Sequence, residues 1–263
     1  MRKYRPGQGQ GEQAQQHYLI RPRHLAGGGD VRHVAEFLRA SGWKMKTKPG
    51  RPLVLDSPDR TIRIAYDPQA GPGAWTIAGK ATTRQEGWTA VLDARTPVEI
   101  LAGFTDALTR PRTAHAPNVW APLRQKQWTM TAGAGSYTIA VSPDGTAGLA
   151  YQPIIAGHAR WAVRAGDDKS TAWLAYFSAT TPMHLVQAFS AALADPAPVM
   201  RPRGRVPHSA KIRTTSVSVL PSQLRGWQQA RLHAAHAATW ARKHRPGTKA
   251  GPLPATGHTR TRR

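Results

Sequence analysis

The chain has 263 residues, of which 40% are hydrophobic, with no Cys and a formal net charge of +23. This length is enough for one large domain or two small ones, and the lack of cysteine excludes disulfide bonds and thiolate metal sites. The apolar runs are all shorter than the roughly 20 residues that a membrane-spanning helix needs, and the N-terminus lacks the apolar stretch of a secretory signal. We therefore expect a cytoplasmic protein that has no membrane partner.

The positive charge is unevenly distributed along the chain. Residues 196–263 contain fourteen basic residues and no acidic residue, whereas residues 30–195 contain eighteen basic and thirteen acidic residues. Blocks of one charge are typical of disordered segments and of arms that bind polyanions. The charge pattern therefore favours a nucleic-acid partner for the C-terminal segment.

Local patterns predict the first elements of the chain. Residues 1–17 are polar and rich in Gln and Gly, so we expect a flexible arm. Residues 18–20 predict a short strand, and the apolar stripe after the N-cap residue Asp30 predicts a helix that ends near Gly42. Residues 43–48 alternate between buried-type side chains and lysines, which predicts a half-buried strand. Further strands are predicted at residues 53–55, 61–66, 75–77 and 88–92, followed by a closing helix.

The stretch from Trp88 to Leu108 recurs 85 positions later, from Trp173 to Leu193. Both copies open with a tryptophan and an apolar run, which a Thr-Pro pair ends before an amphipathic helix begins. Other landmarks share the offset of 85, namely Trp43/Trp128, Ser57/Ser142, Tyr66/Tyr151, Pro97/Pro182 and Phe104/Phe189. We infer an internal duplication, with repeat unit 1 at residues 18–112 and repeat unit 2 at residues 113–199.

The duplication predicts an α+β fold. Each unit should contain about four antiparallel strands followed by a helix, and the two units should pack with pseudo-two-fold symmetry. In unit 2 the counterpart of the first helix contains Pro122, so we expect that element to be short or lost. Most of the nine tryptophans recur at matched positions, which favours packing in the core over ligand stacking.

The residues of the two units resemble a known family. The opening YLIRPRHLAGGG, the strand start at Gly42-Trp43 and the paired W…TP…F…AL modules are similar to the domain of unknown function numbered 317 (DUF317). The resemblance covers residues 18–195. It implies tandem copies of one module and a source among streptomycete-type actinobacteria, and it implies no defined activity.

The C-terminal segment at residues 200–263 lies outside this resemblance. Residues 196–210 have the composition of a Pro/Arg linker, residues 211–220 predict one more strand, and the pattern predicts a helix near residues 222–244. We expect the residues after it to be disordered. One narrow apolar stripe follows the predicted helix, formed by Trp227, Ala230, Ala234, Ala237 and Ala241.

These patterns predict a non-enzymatic protein that binds nucleic acid with little sequence preference, mainly through the C-terminal segment. Candidate contact residues in that segment are Arg201, Arg203, Arg205, Lys211, Arg213, Arg225, Arg231, Arg242 and Lys243. A secondary set follows the exposed face of the first sheet, namely Lys44, Lys46, Lys48 and Arg63. Unit 2 has Thr129, Thr131 and Gly133 in place of the three lysines. The alternative interpretation, in which this set forms an ordinary solvated strand face, therefore stays open.

Other functions find less support in the sequence. His233 and His236 are spaced as metal ligands, but no acidic residue or cysteine is nearby to complete a site, so we expect no metal and no cofactor. The few acidic residues match no catalytic constellation. The alternative is a protein-interaction module or scaffold in which the helix that carries Trp227 contacts another protein or a second copy.

Overall fold

The protein is described as a computed structural model that covers residues 12–47, 51–83, 85–111, 115–133, 137–155, 158–167 and 169–244. Lys48, the side chain of Lys243, most of the predicted N-terminal arm and the last residues of the basic tail lie outside the described residues.

The described chain begins with strand β1 (Gln15–Arg21), which belongs to a small sheet, and continues into a large antiparallel sheet of ten strands. Unit 1 contributes β2 (Lys44–Met45), β3 (Leu53–Asp56), β4 (Ile62–Tyr66), β5 (Trp75–Gly79) and β6 (Trp88–Leu92). Unit 2 contributes β7 (Thr129–Ala132), β8 (Thr138–Val141), β9 (Ala147–Ile155), β10 (His158–Gly166) and β11 (Thr171–Ser178). The strand order is β2-β3-β4-β5-β6-β11-β10-β9-β8-β7.

The two units join where β6 pairs with β11. Ala90 pairs with Phe177, and Leu92 pairs with Ala175. Because repeat-equivalent residues are 85 positions apart, these two pairs are equivalent to each other. The pair between them, Val91 and Tyr176, therefore lies on the pseudo-two-fold axis. The predicted α+β fold with two symmetrically packed tandem units is confirmed.

Helices cover one face of the large sheet. They are α1 (Arg32–Ala40), α2 (Val98–Ala107), α3 (Ala121–Gln125) and α4 (Met183–Leu193). α3 has only five residues, as Pro122 predicts. The core between helices and sheet includes the six repeated tryptophans, all at most 6% exposed, which are Trp43, Trp75, Trp88, Trp128, Trp161 and Trp173. The opposite face of the sheet carries exposed side chains such as Thr76, Thr89 and Arg160, as is common in antiparallel sheets.

A second sheet of three strands lies apart from the large one. β1 is its central strand, between β12 (Val199–Pro202) and β13 (Arg213–Val219). Residues 15–17, which the sequence assigns to a flexible arm, therefore lie in a strand, and part of the predicted linker at residues 196–210 forms β12. The prediction missed both because the partners of these short segments are about 200 residues away in the sequence.

The predicted C-terminal helix is α5 (Pro221–Lys243), which packs against α1. Its inner side uses Leu224, Leu232, Ala235 and Thr239, which are buried or half-buried. The stripe that begins at Trp227 faces outward, and Trp227 itself is 59% exposed. Within the part of the chain that the structure describes, this stripe is thus exposed.

Candidate nucleic-acid interface

Arg201 lies in the interior and is not available to a phosphate. β12 points its side chain towards the first turn of α2, where the guanidinium donates two hydrogen bonds to Glu99, of 2.6 and 2.8 Å. It also donates to the carbonyl oxygens of Ala26 and Gly27 at 3.1 and 2.9 Å. Because Arg201 is only 4% exposed and its donors are used, the prediction that it contacts nucleic acid is wrong.

Two cations of α5 also form ion pairs within the protein. Arg231 donates two hydrogen bonds of 2.9 Å to Asp106 in α2, and its guanidinium stacks 4.2 Å from the ring centroid of Phe37. Arg225 pairs with Glu12 at 2.9 Å near the surface. Both residues belong to the predicted contact set, and the structure places them against carboxylates of this chain instead of leaving them free.

The predicted stripe on the first sheet is interrupted by a carboxylate. Asp56 lies between Lys44 and Arg63 in the strand register. Arg63 donates to it at 2.8 and 3.1 Å, and these hydrogen bonds hold the pKa of Asp56 below its usual value. Lys46 is exposed beside them. The ionised Asp56 offsets part of the positive potential that the lysines provide.

Of the exposed cations of the predicted C-terminal set, Arg225 pairs with Glu12, and Arg242 donates hydrogen bonds to Thr109 and Thr239, which leaves four others. Within the described residues, none of the four has a carboxylate partner at ion-pair distance: Arg203, Arg205, Lys211 and Arg213. The first two lie on a short 3-10 helix after β12, Lys211 lies two residues before β13, and Arg213 is the first residue of β13. These are the cations that the fold leaves available to an external anion.

The internal repeat produces two equivalent grooves. The unit-1 groove is lined by Gly42, Trp43, Pro58 and Leu108, and the unit-2 groove by Gln127, Trp128, Pro143 and Leu193. Each residue of the second set is 85 positions after its counterpart in the first. In both units the groove lies between the start of the first strand, a Ser-Pro-Asp turn and the end of the closing helix.

The C-terminal end of α5 reaches the unit-1 groove. Thr239 and Arg242 line it, and a cavity of about 540 Å³ remains. Arg242 donates a hydrogen bond to the carbonyl oxygen of Thr109, just after α2. Lys44 lines the same groove, so the structure brings together one residue of the sheet set and one of the C-terminal set. A cation beside the carbonyl groups at a helix end is stabilising.

The unit-2 groove is larger and cationic. Its volume is about 980 Å³, and four exposed cations line it, namely Arg21, Lys126, Lys211 and Arg213. Arg21 and Arg213 are direct register partners on β1 and β13, so their side chains project from the same face. Arg21 and Lys126 were not predicted, because both lie outside the basic C-terminal segment and outside the strand face that carries Lys44, Lys46 and Lys48.

The acidic residues of the unit-2 groove are already engaged. Asp195 pairs with Arg23 at 2.7 Å, and Asp144 accepts hydrogen bonds from Ser142 and Thr146 at 2.6 and 2.8 Å. His24 is 4% exposed, and its Nε2 lies 2.7 Å from Oγ1 of Thr146. Burial lowers the pKa of His24 to about 4, against the opposing effect of Asp144, so the ring is neutral at neutral pH.

Comparison with known protein families decides what the repeated units are. Residues 56–114 and residues 141–199 each match the family described as SPDY, Domain of unknown function (DUF317). The chain carries two tandem DUF317 domains. The two matches are offset by 85 residues, as the internal repeat requires. A search of curated proteins and a search of solved structures found no match.

Each DUF317 copy contains the same hydrogen-bonded turn. In the first, Ser57 donates to Asp59 at 2.6 Å, and Thr61 donates to the same carboxylate at 2.9 Å. Ser142, Asp144 and Thr146 repeat this arrangement in the second copy. Although partial burial acts in the opposite direction, the hydrogen bonds hold the pKa of both aspartates below its usual value. The turn is therefore a structural feature of the repeat that shapes one wall of each groove.

The cations of the unit-2 groove lie outside both DUF317 matches. The matched segments end before Arg201 and leave out α1, α3, α5 and the small sheet, apart from the first residue of β12. Among the residues that the structure describes, no group of three or more His, Cys, Asp or Glu side chains is placed to hold a metal ion. No helix in that part of the chain is long and apolar enough to cross a bilayer.

Proposed function

We propose that the protein is a non-enzymatic, cytoplasmic nucleic-acid-binding protein, DNA-binding or DNA-associated, with little sequence preference. Binding involves mainly the cations of the C-terminal segment, residues 200–263. Such a role needs positive charge that is exposed and not neutralised by the protein itself, since affinity for a phosphate backbone arises largely from the release of condensed counterions.

One observation carries this proposal. Arg203, Arg205, Lys211 and Arg213 are exposed and, within the described residues, free of carboxylate partners, in a segment that has no acidic residue. The fold uses Arg201, Arg225 and Arg231 for its own ion pairs but leaves these four unpaired. Five further cations follow in the sequence of residues 245–263.

A mobility-shift titration with single- and double-stranded DNA at several salt concentrations tests the proposal. Replacing the four exposed cations by Gln should reduce the magnitude of the slope of log K against log salt by about 2.8 to 3.6, since each phosphate contact contributes about 0.7 to 0.9. A matched variant removes the same charge elsewhere on the surface, at Arg39, Arg51, Arg110 and Lys169. Lack of binding by the full chain at low salt, or an equal loss in both variants, would contradict the proposal.

A second candidate function is recognition of an acidic protein helix by the outer face of α5. Trp227 and Trp240 are 59% and 65% exposed. After Trp227 the stripe continues with alanines at positions 230, 234, 237 and 241. This alternating spacing of three and four residues is the one that packing against a partner helix requires. The segment from Pro221 to Lys243 has no acidic residue, so self-pairing would bring like charges together.

We expect a Glu-rich amphipathic peptide to bind the wild-type protein, and Trp227→Ala to weaken the binding of this peptide about tenfold or more. Sedimentation of the chain alone detects self-association, which would contradict an acidic partner.

A further inference from the structure

We propose that the unit-2 groove holds an unpaired nucleic-acid strand, with its phosphates on Arg21, Lys126, Lys211 and Arg213. This inference rests on the proposed function and deepens it, since it names the binding surface and the form of the nucleic acid. Lys211 and Arg213 come from the C-terminal segment, whereas Arg21 comes from β1 and Lys126 from unit 2.

The strand register itself points to an anion at this place. Arg21 and Arg213 lie directly opposite each other on β1 and β13, where side chains are about 5 Å apart at their Cβ atoms. Like charges in this position repel each other unless an anion lies between them. Among the described residues neither arginine has a carboxylate partner, and Lys211 lines the groove two residues before Arg213. The arrangement costs stability in the free protein and is favourable once a phosphate binds.

Comparison of the two repeat units shows that this groove is the larger of the equivalent pair. In unit 1 the end of α5 occupies the equivalent position, and Arg242 binds the carbonyl group of Thr109 there. In unit 2 residues of β1 and β13, such as Arg21 and Arg213, form the wall in place of α5, and the groove is nearly twice as large, about 980 against 540 Å³. A volume of this size matches that of sites for organic ligands of several rings.

The groove suits an unpaired strand better than a duplex. Its walls combine the cations with apolar side chains, including Leu19, Pro143, Pro196 and Pro198. An unpaired strand can place phosphates on the cations and a sugar or base against the apolar wall. A duplex keeps its bases stacked inside and presents its phosphates on a convex surface, so it cannot enter a concave groove in this way.

The test compares two variants of equal charge in the full chain. Arg21→Gln/Arg213→Gln removes the opposed pair, and Arg39→Gln/Arg110→Gln removes two exposed cations outside both the groove and the proposed contact set. Binding of labelled single-stranded and duplex oligonucleotides of the same sequence is measured across a salt series. We expect the groove variant to bind single strands about tenfold more weakly, with the salt slope reduced by about 1.4, corresponding to two lost phosphate contacts. Duplex binding and the control variant should change much less.

A stability measurement separates loss of the site from loss of the fold. Without nucleic acid, the thermal midpoint of Arg21→Gln/Arg213→Gln should be equal to or above that of wild type, because the repulsion between the two arginines is removed. The charge reversal Lys126→Glu, on the opposite wall, should weaken single-strand binding in the same way.

Each result decides one of the two proposals. If the full chain binds no nucleic acid, the proposed function fails. If it binds, but both groove variants bind single strands as wild type does, or lose duplex binding equally, the groove assignment is overturned while the proposed function stands. Selective loss of single-strand binding in both groove variants supports the assignment.

Discussion

Two arginines only two residues apart show how environment determines what a cation can do. Arg201 is 4% exposed and its guanidinium binds a carboxylate and backbone carbonyl groups, whereas Arg203 is exposed on a short 3-10 helix. Because a buried charge must be paired and hydrogen-bonded, the buried Arg201 has a structural role in the fold. Arg203 is free to contact a polyanion.

This contrast predicts opposite effects on stability. Arg201→Met should reduce the free energy of unfolding by about 3 to 5 kcal/mol, because Glu99 and two carbonyl groups lose their partner. Arg203→Gln should change it by less than about 0.5 kcal/mol. Denaturant unfolding measures both, and Arg201→Met/Glu99→Gln should recover part of the loss. An equal effect of the two single substitutions would contradict the structural role of Arg201.

His24 predicts a specific pH dependence. Burial lowers its pKa from 6.5 to about 4, so between these values the unfolded chain binds a proton that the folded chain does not. Its contribution to stability is therefore fully present above pH 6.5 and is lost as the pH falls towards 4, by up to about 3 kcal/mol. The free energy of unfolding of His24→Gln should depend less on pH in this window, and the exposed control His236→Gln should follow wild type. Parallel profiles for wild type and His24→Gln would refute the assignment.

At the scale of elements, the contact between α2 and α4 fixes how the two units meet above the sheet. Gly103 on α2 faces α4, and a Cβ atom at this position would overlap the Cβ atom of Ala192 and lie 3.0 Å from the carbonyl oxygen of Ala188. Ala188 is itself the repeat-equivalent of Gly103, so the helices cross near the pseudo-two-fold axis. Two alanines at the crossing would force the helices apart, which explains the glycine in one copy.

The same substitution at two glycines should therefore have opposite effects. Gly103→Ala should destabilise the protein by about 1 to 3 kcal/mol through overpacking. Gly226→Ala on α5, where a Cβ atom meets nothing within 4 Å, should stabilise it by about 0.5 to 1 kcal/mol through helix propensity. Thermal and denaturant unfolding provide the measurement. Stabilisation by Gly103→Ala would show that the helices are farther apart than described.

At the scale of the whole molecule, one continuous sheet and one core connect the two DUF317 domains. β6 pairs directly with β11, and the core cluster contains residues of both units. The N-terminal strand β1 also pairs with β12 and β13, which follow α4 in the sequence. The stability of each unit therefore depends on the other unit.

We expect a single cooperative unfolding transition for this reason. Ile64→Ala in unit 1 and Leu149→Ala in unit 2 truncate fully buried, repeat-equivalent positions, and each should cost about 2 to 5 kcal/mol. Both should shift the same transition, followed by circular dichroism and by tryptophan fluorescence. Two separate transitions, each sensitive to only one substitution, would mean that the units unfold independently.

The sequence by itself determined the repeat, the fold class and most elements. Landmarks such as Trp88 and Trp173 keep a constant offset, and the period of apolar residues within a strand or helix depends only on neighbours along the chain. For the same reason α5 and β13 were predicted close to their observed bounds. Strand β12 and the first three residues of β1 were missed because their hydrogen-bond partners are distant in sequence.

Only the tertiary structure decided which cations are available and where they meet. Arg201 and Glu99 are 102 residues apart, and Arg231 and Asp106 are 125 residues apart, so no local pattern indicates that these arginines are neutralised. The unit-2 groove likewise gathers Arg21, Lys126 and Arg213 from three separate segments. Electrostatic pairing and cavity formation depend on distance in space, and a sequence carries that information only where the contacting residues are near one another along the chain.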